Sequence, residues 1–387
     1  MCCNGPPRCP TLITFCRKIN PKCRSRIAVS FTRWGLIALA IIQCHAAAAT
    51  GGRHVDPSEL TIATVHTVNL PFVKELRDFF VPEFNRRVQT RTGGEPYVWI
   101  EAYGSALMKW HNSLETVDIG LTDFGWVGTL WEPAKMPLQN INYYLPFITD
   151  DLGVLMRTFN KIHVELPAAH QAWTNHNQVY LAATGIETYH LLTNFPVRSL
   201  ADLKGRKLVA PGPSAVWLKG TGAVPVNGAL TTYYTQIKTG VADGTISMVT
   251  GAYPYRIHEV APYLTLVGIG AQFAGALSVN LDTWNHFSET ERTILRELAT
   301  EYTDRSAAAV EQRYASALAS MVAEGAIVTT LPPLEKQKWI DGLPEYGKQW
   351  VERNEAKGLP AREMLRLLMD GIRSAGLQPQ RDWDHYE

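Results

Sequence analysis

Residues 199–247 constrain the fold more than any other stretch, because they change structural character every few residues and leave few ways to pack the pieces. Ser199 is placed to cap a helical turn with Asp202 at the reciprocal capping-box position, and Gly205 suits the left-handed residue that ends it. Residues 207–210 make an extended run stopped by Pro211 and Gly212, and residues 215–219 turn helical before Gly220 and Gly222. Residues 223–226 read as a second strand. Residues 229–239 set Leu230, Tyr233, Tyr234 and Ile237 on one helical face with Gly240 as the stop, and residues 246–249 begin a third strand. Strands and helices alternating this closely predict α/β layering around a parallel sheet, and open sheets of that kind bind ligands beyond the carboxyl ends of their strands.

The same alternation extends in both directions. Residues 60–65 read as a strand ending at His66 and Thr67; Pro71 then opens a helix carrying Phe72, Val73, Leu76, Phe79, Phe80 and Phe84, with a kink expected at Pro82 and a stop at Gly93. Residues 97–102 form a strand, Gly104 and Ser105 a turn, 106–114 a helix and 117–121 a strand, with the aromatic loop Asp123, Phe124, Gly125, Trp126 at its end. A helix over 152–173 precedes a strand at 178–184, which 188–193 continues or pairs with as a hairpin. After a strand at 263–268, the capping box of Ser288 and Glu291 opens a helix of roughly 36 residues, about 54 Å long. A strand at 327–330 and amphipathic helices at 333–357 and 360–375 close the chain.

A length of 387 residues favours two lobes over one. The near balance of 37 basic and 36 acidic residues gives no field for nucleic acid. All six cysteines lie within the first 44 residues, in a segment where Arg17, Lys18, Lys22, Arg24, Arg26 and Arg33 precede a short apolar run and Ala46 to Ala49. That pattern predicts a secretory signal peptide over residues 1–49, cleaved between about Ala46 and Gly51, and a mature domain without cysteine chemistry. The apolar run is shorter than the roughly 20 residues of a membrane span. Gln43 before Cys44 argues against a lipid anchor, which wants a small residue there.

Catalytic patterns are weak. His170 and His176 are six residues apart, a spacing that does not share a helix face, so no metal site is expected. No G-x-S-x-G sequence occurs, and Gly220-Thr221-Gly222 lacks the third glycine of a dinucleotide loop. Neither an enzyme nor a cofactor protein is expected. Trp110, Trp126, Tyr189, Trp217 and Tyr233 stand near strand ends or glycine turns, where aromatic faces could line a cleft.

The ordered elements DLKG.K...P (Asp202 to Pro211), GA.PV (Gly222 to Val226) and Y..I.TGV.DG (Tyr234 to Gly244) resemble those of the DctP-type solute-binding proteins of TRAP transporters. GSALMKWHNSLETVDIG at residues 104–120, LPF at 145–147 and EVAPY at 259–263 extend the resemblance over nearly everything after the leader. It implies a two-lobed periplasmic-binding-protein-like α/β fold with a hinge, a ligand cleft between the lobes and a long helix spanning both. Residues 55–185 with 273–312 would form lobe I, and 186–272 with 313–387 lobe II. The implied function is periplasmic capture of a small organic acid by a monomer, with delivery to TRAP membrane subunits. The alternatives are a sensing or structural protein without a transporter, or a non-acidic solute.

The arginine that clamps the ligand carboxylate in acid-binding family members corresponds to Val209, a second arginine to Tyr189, and an asparagine to Ser247. Both clamps are therefore missing. The expected ligand contacts are His66, Trp126, Tyr189, His190, Val209, Trp217 and Ser247, with His190, Lys219 or Arg256 taking over the acid. The exchange favours a monoacid with an apolar or aromatic body over a C4-dicarboxylate.

Overall fold

A computed structural model describes residues 58–386 apart from residue 211. The expected signal peptide lies outside the described residues. Two sheets organise the chain. The first has the order β2 (Val98–Ala102), β1 (Glu59–Ala63), β3 (Phe124–Val127), β10 (Gln272–Asn280), β4 (Gln178–Ile186); the first three are parallel, and β10 runs antiparallel to β3 and β4. The second has the order β11 (Ile327–Thr330), β9 (Tyr263–Leu266), β5 (His190–Thr193), β8 (Gly244–Ser247), β6 (Lys207–Val209), β7 (Val224–Val226).

Local punctuation sets many elements. Ser199 and Asp202 form the capping box, with Ser199 N donating to Asp202 Oδ2 at 2.8 Å, and Gly205 and Gly240 take φ of 75° and 76°. The first helical segment is more unusual. Helix α1 (Pro71–Glu75) passes through a π-helical turn at Leu76–Phe80 into α2 (Val81–Thr92), and Val81 N donates to Leu76 O. Pro82 therefore starts a new helix instead of kinking the old one: the π-turn lets Pro82 occupy a first-turn position, where its missing N–H costs nothing.

Other expectations shift. Residues 113–118 are helix α3 (Ser113–Asp118) and the strand begins at Phe124, so the aromatic segment is β3 itself and not a loop after a strand at 117–121. Pro167 divides 152–173 into α4 (Leu152–Glu165) and α5 (Pro167–Thr174). The second sheet's helices are α6 (Leu230–Lys238), α7 (Val249–Ala252) and α8 (Ile257–Val260), so Val249 belongs to a helix and not to β8. After α9 (Leu281–His286) comes α10 (Glu289–Ala323), the long helix, capped by Ser288 and Glu291 and 35 residues in length. It packs along β4, α4, α1 and α2 and then reaches α7. The helix expected over 333–357 breaks at Gly342 into α11 (Pro333–Asp341) and α12 (Tyr346–Glu355), and α13 (Ala361–Ser374) packs on α4 while α12 meets residues 141–144. Among the described residues no helix is long and apolar enough to cross a membrane.

The sheets are joined where β4 runs on into β5 and where β9 returns to β10. The connecting backbones are laced together: Ile269 N donates to Tyr189 O (3.1 Å), Phe147 N to Ile269 O (2.5 Å) and Ala271 N to Thr149 O (2.8 Å). Gly268 and Gly270 take φ of 67° and 124°, and a Cβ at Gly268 would meet Asp150 Oδ2 at 2.5 Å, so neither place suits a larger residue.

Candidate functional site

Parallel pairing of β1 with β3 sets their carboxyl ends side by side and brings His66 and Trp126 together, with ring centres 4.7 Å apart. Phe72, in the first turn of α1, stacks on Trp126 at 5.3 Å and meets the edge of His66 at 5.1 Å. Trp110 crosses His66 at 4.6 Å and an interplanar angle of 87°. The Trp126 indole N–H is engaged with Thr184 Oγ1 at 2.7 Å and the side chain is 2% exposed, so it backs the His66 and Trp110 rings from within the core. Burial pushes the His66 imidazole down to about 4, which leaves it uncharged at neutral pH. Trp110 is 38% exposed and lies 5.3 Å from the exposed Trp131, so this aromatic wall runs from the core to solvent.

In the second sheet, antiparallel pairing of β5 with β8 sets His190 opposite Ser247. His190 Nδ1 accepts from Val267 N and Gly268 N, each at 3.2 Å, which requires the proton on Nε2; Nε2–H then donates to Tyr314 Oη on α10 at 3.0 Å. Burial, with a smaller contribution from Lys336, pushes His190 down to about 4. The ring is a neutral brace with both nitrogens engaged, not a donor to an acid. Ser247 is buried, its hydroxyl turned to Met248 O at 3.3 Å. Tyr189 meets Trp217 edge-on at 5.2 Å. Trp217 is 0% exposed, donates to Tyr143 O at 2.8 Å and accepts at its own carbonyl from Trp339 Nε1 at 2.7 Å. It backs Tyr189 from within the core instead of lining open space. Val209 is equally enclosed, packed with Tyr233 in the second sheet's apolar cluster.

Lys219 and Arg256 do not join these groups as expected. Lys219 is exposed beside Gly220, which abuts Gly342, and Arg256 stands on the surface with its Nε on Glu259 Oε1 at 2.7 Å. Sequence reasoning missed residues of the first crossing and of the long helix. Glu187, 4% exposed in the first crossing, accepts from Thr250 N at 2.7 Å and Thr250 Oγ1 at 2.9 Å, and burial raises its carboxyl. Arg313 of α10 donates to Asn69 O, in the turn that follows His66 and is closed by Leu70 N on Thr67 O at 3.1 Å. Arg313 and Tyr314 gave no signal because polar positions on a long helix read as solvent-facing. Among the described residues, the acidic grouping of Asp382, Asp384 and His385 is bridged by Arg373, whose Nη2 reaches Asp384 Oδ1 at 2.6 Å and Asp382 Oδ1 at 2.7 Å.

Comparison with known proteins bears on the family and the fold. The model of DctP, bacterial extracellular solute-binding protein family 7, matches residues 77–354. The C4-dicarboxylate-binding protein DctB of Bacillus subtilis is 25% identical over 178 residues, covering 45% of this chain and 49% of that protein, so the chain spans about half the length of this curated relative. A TRAP periplasmic solute-binding protein from Desulfovibrio salexigens, in an open complex, superposes with a TM-score of 0.71 at 21% identity, covering 83% of this chain and 97% of that one. A TRAP solute-binding protein from Rhodoferax ferrireducens, in complex with copurified benzoate, gives 0.67 at 17% identity over 82% and 98%. One from Chromohalobacter salexigens with bound D-glucuronate gives 0.64 at 20% identity over 81% and 99%.

Proposed function

The chain belongs to family 7 of the bacterial extracellular solute-binding proteins, and from that membership we propose that it captures a small monoacid with an apolar or aromatic body for a TRAP transporter. It does so in the periplasm as a monomer, after removal of its signal peptide, and hands the ligand to the membrane subunits without chemical change. Residues 55–185 with 273–312 act as one lobe and 186–272 with 313–387 as the other, meeting at the laced crossings.

The observation that carries the ligand class is the aromatic wall of His66, Phe72, Trp110 and Trp126. An uncharged His66 among three apolar rings favours a flat or apolar ligand body and offers no compensation for a second carboxylate. The benzoate found in the Rhodoferax protein supports an aromatic acid, whereas the name of the Bacillus relative favours a C4-dicarboxylate. A thermal-shift screen of the exported protein against benzoate, D-glucuronate and succinate tests the choice. A ligand at about 100 times its dissociation constant adds about 2.7 kcal/mol. Stabilisation by benzoate but not succinate is expected; the reverse would overturn the monoacid reading. Two adjacent genes for membrane subunits are also required, and their absence would favour a sensing protein.

A further inference from the structure

A carboxylate taken out of water needs a cation or several donors, and of the groups expected to supply them His190 and Arg256 are engaged elsewhere and Lys219 stands exposed beside Gly220. His190 has both nitrogens occupied, and Arg256 is answered by Glu259. Lys336 lies over the Phe147 ring at 5.5 Å and beside the Asp150 carboxylate at Gly268. Arg313 is different. Its guanidinium has five N–H donors, and it makes one hydrogen bond, to Asn69 O, and no ion pair among the described residues. The buried Glu187 carboxyl feels the Arg313 charge but is not paired with it, since both its oxygens are on Thr250.

The placement is also suitable. Asn69 is three residues from His66, at most about 11 Å along the chain, so a guanidinium on the Asn69 carbonyl stands on the turn that leads away from the His66 ring. Arg313 is partly exposed and thus within reach of solute. The neighbouring Tyr314 accepts from His190 Nε2, which leaves its own O–H free to donate.

Resting on the acid-binding reading above, we infer that Arg313, a residue of the long helix, takes the ligand carboxylate, with the ligand body lying along the His66 and Trp110 rings that Trp126 backs. The guanidinium fork suits a carboxylate with two parallel bonds, and the bond to Asn69 O holds it ready. The selectivity of this chain would then come from a helix position, whereas the strand positions occupied by Tyr189 and Val209 are buried in the core.

Calorimetry tests this with acid and neutral pairs: benzoate with benzamide, D-glucuronate with D-glucose and succinate with succinamide, on wild type, Arg313→Gln and Arg313→Lys. Arg313→Gln should weaken whichever acid binds wild type by about thirtyfold, leave its neutral partner unchanged and keep the unliganded melting temperature. Arg313→Lys, which keeps the charge but not the fork, should lose about tenfold; it decides the matter if Arg313→Gln does not fold. Equal acid affinity in variant and wild type, or a matched loss for acid and neutral partner with a lower unliganded melting temperature, would make Arg313 a latch on Asn69 only and overturn the inference while acid binding stands. If none of the three acids binds wild type, the acid-binding reading fails and this inference falls with it.

Discussion

Trp217 and Trp110 are the same residue type in opposite surroundings, and truncating each reports a different property. Trp217→Ala would empty a fully enclosed site and leave Tyr143 O and the Tyr189 ring without their partner, so a loss of about 3–5 kcal/mol in urea unfolding is expected. Trp110→Ala should cost under about 1 kcal/mol of stability yet weaken benzoate, because its half-exposed ring is part of the wall. A stable Trp217→Ala protein with selectively lost ligand would reverse these roles. Three imidazoles held near 4 by burial, His66 among them, give a pH dependence. His163 donates from Nδ1 to Phe159 O at 2.8 Å and stacks on Tyr180 at 3.8 Å, and burial holds both it and His190 near 4. The unfolded chain takes up these protons near 6.5 and the folded one only near 4. Each histidine's contribution is therefore complete above 6.5 and lost as pH falls toward 4, by about 3 kcal/mol at about 1.4 kcal/mol per pH unit. Glu187 acts in the opposite sense, since burial raises its carboxyl and acidification relieves that cost. The melting temperature should fall between pH 6.5 and 4.5; a flat profile would refute the neutral-histidine assignment.

Elements were legible in the sequence where their ends are chemically marked. Gly205, Gly240 and the pair Ser288 and Glu291 determine boundaries through local backbone geometry, which is why the segments from 199 to 240 and the long helix were read nearly residue by residue. Ser288→Ala should accordingly cost about 1 kcal/mol, measured by urea unfolding, and no loss at all would mean that the cap is redundant with packing. The segment at 113–127 misled because its determinants are distant: Asp123 accepts from Thr61 N at 2.8 Å and Thr283 Oγ1 at 2.7 Å, and Gln178 Nε2 donates to Leu114 O at 2.9 Å. The site divides the same way. His66 and Trp126 follow from strand ends, whereas the enclosure of Trp217 depends on a carbonyl 74 residues away, and Arg313 on a turn 244 residues away.

For the whole molecule, two sheets joined by short crossings and one long helix suit opening and closing about the crossings. Shifting such an equilibrium from 1:99 to 99:1 requires about 5.5 kcal/mol of preference for the closed state. Small-angle scattering should therefore show a smaller radius of gyration with saturating ligand, and unchanged dimensions would argue for a rigid sensor.

The lacing of residues 147–149 to 269–271, and of these to Tyr189, would give such a motion a direction. Three backbones bonded edge to edge form a ribbon, and a ribbon behaves as a leaf spring: it flexes easily across its face, resists sliding in its plane and returns to one rest shape. A swing borne by such a spring repeats a single arc. The aromatic wall and the guanidinium beside it would then meet the opposite half of the molecule in the same alignment on every cycle, and recognition would depend on the shape of the solute and not on how the jaws happened to shut.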